Sequence, residues 1–263
     1  MRGQIAAAYS ATGGVWQGGP GPIYDRLAQV AVSRSPVGLH GARALDVGAG
    51  TGAATRALHA AGAAEVVAVD AASGMLAWDA GNRPPAVTAD ALALPFVDRA
   101  FDVIVAAFSF NHLADPSAAL REAARVTRSG GALVVSAYAA DDTHPVKAAV
   151  EGAIAARGWE PEPWYETLRT RLAPRLATVD AARQAATAAG LDAEVEAVRV
   201  PFPAMTAADL VAWRLGLAQH APFVGALPSD TDRAAVAADA VARLGDSWSP
   251  LERSIILLRA VRP

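Results

Sequence analysis

The chain has 263 residues, is 53% hydrophobic and 19% charged, and carries a formal net charge of −3. That length suits one large α/β domain with a sizeable core, and the absence of a basic stripe argues against a nucleic-acid partner. The chain contains no cysteine, which excludes disulfides, thiolate metal sites and cysteine nucleophiles. The opening MRGQIAAAYSATGGVWQGGP lacks the continuous apolar core of a signal peptide. No apolar run reaches the roughly 20 residues that span a bilayer, so a soluble, cytoplasmic protein without a membrane partner is expected.

From residue 42 short apolar runs alternate with helix-like segments. Strands are predicted at Ala42–Val47, Glu65–Val69, Ala86–Thr88, Phe101–Ala107 and Ala132–Tyr138, with helices at Ala53–Ala61, Gly74–Asp79 and Ser117–Val126. Such alternation implies crossover connections and a mostly parallel sheet covered on both faces. Asp115-Pro116-Ser117 is read as a helix start and Ser129-Gly130-Gly131 as its stop. Residues 141–178, with four prolines and Trp159, Trp164 and Tyr165 interleaved, read as an irregular helical insertion. The alternation resumes with a helix over Asp180–Ala189, stopped by Gly190, and a strand near Glu194–Val200, which Pro201 and Pro203 are expected to end. Two helices are predicted next, the first opened by a capping box at Thr206–Asp209, the second by Ser229 or Asp230. SIILLRAV at Ser254–Val261 reads as a final buried strand. The expectation is therefore a single domain over 1–263. An N-terminal helical cover spans 1–40, and lid insertions span 141–178 and 202–250.

The strongest local signal is ALDVGAGTG at residues 44–52. A buried strand ends in Asp46, and Gly48, Gly50 and Gly52 turn the chain into a helix. Glycine permits positive φ and lets backbone approach a ligand, and the helix N-terminus presents N–H groups to it. The spacing Gly48-x-Gly50-x-x-Ala53 also satisfies the dinucleotide fingerprint, so the loop alone leaves a nicotinamide dinucleotide open. The next strand ends in Asp70, where a carboxylate can accept from two adjacent ribose hydroxyls. Asp90 closes the third strand, where it can accept from an adenine amino group; Asp70 and Asp90 equally fit as caps of the helices that follow. The run ALPFVDRAFDVIVAAFSFNHL then occupies residues 93–113.

Residues 44–52, Asp70, Asp90 and the stretch 92–138 resemble the class I S-adenosylmethionine-dependent methyltransferases, in particular the ubiquinone and menaquinone biosynthesis branch. DALALPFVDRAFDVIV and LREAARVTRSGGALVV carry the resemblance, which covers about residues 40–140. It implies a Rossmann-like seven-stranded mixed sheet in the order 3-2-1-4-5-7-6, strand seven antiparallel, with helical lid insertions. It further implies S-adenosyl-L-methionine as cofactor and S-adenosyl-L-homocysteine as product. Gly48, Ala49 and Gly50 would lie along the methionine moiety, with Asp46 fixing the loop or binding the amino group through water. Asp70 would hold the ribose, Ala71 and Met75 would border the adenine, and Asp90 and Ala91 would meet its edge. Backbone at Ala107 and Phe108 would contact the methionine end.

Methyl transfer asks mainly for alignment and exclusion of water, with a base where the nucleophile carries a proton. His112 follows the fourth strand, at the ligand-binding edge of such sheets, and is the candidate base. Tyr9, in the expected cover, is the candidate to orient the sulfonium. Trp16, Trp164, Tyr165 and Trp213 are the candidate lining of a small-molecule acceptor pocket. His144 and His220 are weaker candidates, and His40 and His59 are peripheral. Asp141-Asp142 invites a metal reading, but an adjacent acidic pair is more often a solvated turn, and no metal is expected. The functional expectation is methyl transfer to an aromatic or apolar specialised metabolite by a monomer or homodimer. The same scaffold also serves pericyclic, non-methylating chemistry, and an NAD-linked oxidoreductase is the remaining alternative.

Overall fold

The computed structural model describes residues 2–263; Met1, the first residue of the expected N-terminal cover, lies outside them. Three helices, α1 (Arg2–Ser10), α2 (Gly13–Gly18) and α3 (Gly21–Ser33), precede the first strand. An alternating core follows: β1 (Arg43–Val47), α4 (Ala53–Ala60), β2 (Glu65–Asp70), α5 (Ser73–Ala77), β3 (Ala86–Thr88), β4 (Phe101–Ala107), α6 (Pro116–Val126) and β5 (Thr127–Tyr138). Next come α7 (Val146–Ala155), α8 (Pro163–Thr167), irregular helical turns to Leu176, then α9 (Val179–Ala188) and β6 (Ala193–Phe202). The remaining elements are α10 (Ala207–Leu215), α11 (Ala221–Gly225), α12 (Asp230–Leu244) and β7 (Leu251–Val261). Among the described residues, no helix is long and apolar enough to cross a membrane.

The seven strands form one sheet in the order β3-β2-β1-β4-β5-β7-β6. The β1–β5 pairs are parallel, and β7 runs antiparallel between β5 and β6. The central strands are buried on both faces, which explains their continuous apolar runs. Alternate residues point to opposite layers. Leu45 and Val47 pack with α6 and α9, whereas Ala44 packs with α3, α4 and the helices that follow β5. Side-chain caps fix several helix starts: Asp115 accepts from the Ala118 N–H at 2.9 Å, and Thr206 and Asp209 form the expected capping box. Each such cap is worth about 1 kcal/mol.

Four local expectations need correction. Ser129-Gly130-Gly131 does not stop α6, because the helix passes into β5 at Thr127 without a loop. The glycines instead loop out within the strand: Phe101 pairs with Thr127 but Val103 pairs with Ala132, and a Cβ on Gly131 would sit 2.6 Å from the Asp102 carbonyl oxygen. Pro201 does not end β6; it pairs with Glu252 on the sheet edge, where a missing N–H costs no ladder bond. Helix α5 stops at Ala77 rather than Asp79, because Trp78 takes an extended ψ of 128° and Asp79 then turns the chain at φ 51°. Residues 202–250 hold three helices rather than two.

Candidate active site

The carboxyl ends of β1, β2, β3 and β4 open on one cavity of about 400 Å³, closed over by α1, α2 and α3. This size falls within the range of small-molecule sites. Asp46, Gly48, Ala49, Gly50, Asp70, Ala71, Met75, Asp90, Ala91, Ala107 and Phe108 all line it, together with Tyr9, Trp16 and His112.

Its floor is the glycine loop. Gly48 has φ +73°, and a Cβ there would lie 2.1 Å from the Ser109 Cβ. The Ser109 hydroxyl donates to the Val47 carbonyl at 2.7 Å, so the loop after β4 is pinned onto the loop after β1. The Gly50 and Ala72 N–H groups each donate to Asp70 at 2.7 Å. Those bonds fix the Asp70 carboxylate while leaving lone pairs for a ligand. Burial pushes the Asp70 carboxyl above its ordinary range, and the backbone donors oppose that rise. Asp46 accepts from the Thr55 hydroxyl at 2.7 Å through Oδ2, while its Oδ1 is buried without a partner. Burial raises the Asp46 pKa to about 6. Asp90 Oδ1 accepts from the Leu92 N–H at 2.9 Å.

The opposite wall is aromatic. Tyr9 lies 5.5 Å from Trp16 and 5.3 Å from the His112 ring, and Tyr24 lies 4.9 Å from Trp16 and 5.5 Å from Phe108 between centroids. Phe108 holds φ +57°, a strained conformation for a bulky residue at the end of β4, and its ring packs 4.6 Å from Tyr138. Burial lowers the His112 pKa to about 4 and drives the Tyr9 hydroxyl well above its usual value. At neutral pH the imidazole is therefore uncharged.

The acceptor candidates divide. Trp16 lines the cavity, and Trp164 stands behind Tyr9 at 6.4 Å between rings. Tyr165 and Trp213 are not brought there. Tyr165 packs on Trp164 and His220, and Trp213 is 1% exposed, with the Arg253 guanidinium 4.7 Å from its ring centroid. Trp213 faces inward because it sits on the apolar side of α10 beside Leu210. His220 is also outside the cavity, its Nδ1 2.7 Å from the Arg214 carbonyl oxygen. Asp142 is no solvated turn: it is buried against Arg253 and accepts from the Ser254 N–H. Tyr24 and Ser109 line the cavity but were missed by sequence reasoning, because they meet Phe108 and Val47 across long stretches of chain; Thr55 was missed although it meets Asp46 only nine positions away.

Residues 45–135 match the family model described as a methyltransferase domain. Over those residues the chain is similar to methyltransferase domains. Demethylmenaquinone methyltransferase of Mycolicibacterium paratuberculosis is 40% identical over 134 residues, 51% of this chain and 56% of that protein. The chain thus spans about half the length of the curated relatives it matches. The same fold occurs in Haemonchus contortus phosphoethanolamine N-methyltransferase 2, solved with phosphomonomethylethanolamine and S-adenosylhomocysteine. That likeness has a TM-score of 0.58 at 19% identity, covering 95% of this chain and 57% of the other. It also occurs in the cyclase SpnF, with a TM-score of 0.54 at 24% identity, covering 91% and 80%.

The cofactor of this domain class is S-adenosylmethionine, and the residues present fit it. The fold places an orphaned carboxylate oxygen, Asp46 Oδ1, where a cationic amino group can satisfy it, and a second carboxylate, Asp70, at the end of the adjacent strand. Asp46, Asp70 and Asp90 are acidic and no lysine or arginine lines the cavity among the described residues, which suits a ligand bearing sulfonium and ammonium charges.

Proposed function

We propose that the protein transfers a methyl group from S-adenosylmethionine to a small aromatic or apolar acceptor. The observation that carries this reading is one continuous cavity with acidic, glycine-floored ends of β1 and β2 on one side and Tyr9, Trp16, Tyr24 and Phe108 on the other. The cofactor, when bound, supplies an electrophilic methyl on sulfur. Asp70 accepts from the ribose hydroxyls, Asp46 from the amino group, and Asp90 and the Ala91 N–H meet the adenine, with Met75 and Ala71 bordering it. Gly48, Ala49 and Gly50, with the backbone of Ala107 and Phe108, flank the methionine chain.

Tyr9 and Trp16 cover the transfer position and keep water out. His112, uncharged and with a conjugate acid near pKa 4, is a weak base. Its role is to orient an acceptor whose nucleophile is already electron-rich, such as an enol, a phenolate or an activated ring carbon. The N-terminal helices act as the cover; of the expected lid segments Trp164 backs Tyr9, and among the described residues neither 141–178 nor 202–250 lines the cavity. The quinone-type acceptor named for the mycolicibacterial relative belongs to this chemical class.

Calorimetry with S-adenosylmethionine, S-adenosylhomocysteine and NAD tests the cofactor half; binding of NAD alone overturns the reading. Incubation with methyl-labelled cofactor and a panel of quinols, phenols and enols tests the rest, and the labelled atom distinguishes oxygen, nitrogen and carbon transfer. A second reading, non-methylating chemistry on the same scaffold, is favoured by the weak basicity of His112 and by the shared fold of the cyclase SpnF. Turnover without label in product selects it.

A further inference from the structure

Arg83 lies in the turn between α5 and β3, outside every motif discussed above. Its Nη1 donates to the Leu76 carbonyl at 2.9 Å and to the Gly50 and Met75 carbonyls at 3.3 Å each. One side chain thus joins the glycine loop to the C-terminal end of α5, the helix that brings Met75 into the cavity. Its Nε and Nη2 are buried with no partner. A neutral donor would serve the carbonyls without leaving charged N–H groups unpaired at about 1–3 kcal/mol or more each, so the bonds alone do not account for a guanidinium here.

The charges around it do. Arg83 acts on both Asp46 and Asp70, lowering each carboxyl against the rise that burial imposes, and the Asp79 carboxylate also faces it. Arg56 on α4 is the opposing cation; Asp70 raises Asp46, and Tyr9 faces Asp70 from the N-terminal cover.

We propose that Arg83 is a positioning residue of the cofactor site: it ties the glycine loop to α5 and supplies the positive charge that Asp46 and Asp70 face. This rests on the cofactor assignment made above. Without Arg83 the two carboxylates hold their protons to higher pH, and the loop that presents them loosens from α5.

The test is calorimetric titration of S-adenosylhomocysteine into wild type, Arg83→Met, Arg83→Gln and Arg83→Lys between pH 5.5 and 8.5, with thermal unfolding of each. Arg83→Met is expected to bind at least tenfold more weakly at pH 7, and the pH at which affinity falls is expected to move up by about one unit. Arg83→Lys keeps the wild-type midpoint and recovers part of the affinity. Should Arg83→Met not fold, Arg83→Gln against Arg83→Lys makes the same comparison, since glutamine keeps a donor and loses the charge. Affinity within twofold of wild type in the uncharged variants overturns the proposal. So does an equal loss at every pH that lysine fails to rescue. Failure of the wild type itself to bind S-adenosylhomocysteine overturns the cofactor assignment instead.

Discussion

Gly48→Ala isolates the contact on which the cofactor half of the site is built. Two penalties add at this position. An alanine held at φ +73° costs about 1–2 kcal/mol relative to glycine. Its Cβ would also lie 2.1 Å from the Ser109 Cβ and 2.7 Å from its Oγ, an overlap that relaxes only by moving the loop after β4, at about 1–3 kcal/mol. The sum, roughly 2–5 kcal/mol, corresponds to a fall in Tm of about 4–10 °C for a chain this long. The displaced loop carries Phe108 and His112, so affinity for S-adenosylhomocysteine is expected to fall as well, by at least tenfold. The assay is thermal unfolding with calorimetry on Gly48→Ala, Ser109→Gly and the double variant. Ser109→Gly removes the overlapping atoms but not the backbone strain, so the double variant should recover the steric share and retain the conformational one. An unchanged Tm in Gly48→Ala, or strict additivity in the double variant, refutes the reasoning.

Asp46→Asn is expected to stabilise the ligand-free protein at pH 8 by up to about 3 kcal/mol, the worth of a carboxyl moved from 3.8 to about 6. The native state binds that proton more tightly than the unfolded chain. Stability from this group is therefore full below the unfolded value and lost as pH rises through about 6. Urea unfolding from pH 4 to 8 should show this slope in wild type and not in the variant, whose cofactor affinity falls. His112, held low by burial, should titrate near pH 4 in proton NMR and add no limb of its own to the methyl-transfer rate at saturating cofactor from pH 5.5 to 8. A limb at pH 6–7 that disappears in His112→Gln would contradict this. Asp142→Ala strands the Arg253 guanidinium; with the pair only 4% and 7% exposed, a loss of about 3–5 kcal/mol is expected in chemical denaturation. A loss under 1 kcal/mol would show the pair to be dispensable.

The cofactor half of the molecule was legible because its signals are local. Apolar runs bounded by Asp46 and Asp70 are strands buried on both faces, and a glycine turn into a helix has few structural alternatives. The partners that hold these residues were not legible. Ser109 meets Val47 across 62 positions, and Arg83 meets Gly50 across 33, with no periodicity or motif to announce either. The aromatic residues failed differently. Trp16 and Trp213 both sit on amphipathic helices, and a sequence does not say which apolar face meets a cavity and which meets a core. Ser129-Gly130-Gly131 carried the composition of a helix stop, but the choice belonged to the neighbouring strand, where Gly131 passes against Asp102.

The same geometry that makes the site recognisable makes it costly. Asp46 is buried close enough to Asp70 to be raised by it, one of its carboxylate oxygens has no partner, and Phe108 is held in a left-handed conformation beside them. Each is a feature that folding alone would remove, and strain and unpaired charge of this kind collect at functional sites. A cation entering the cavity satisfies Asp46 Oδ1 and draws its proton off. Binding of S-adenosylhomocysteine near pH 6, where Asp46 is about half protonated, should therefore release up to roughly half a proton. Calorimetry in buffers of different ionisation enthalpy measures that number directly. Proton uptake on binding would place the amino group elsewhere, whereas release that vanishes in Asp46→Asn assigns it to the strand end where the glycine loop begins.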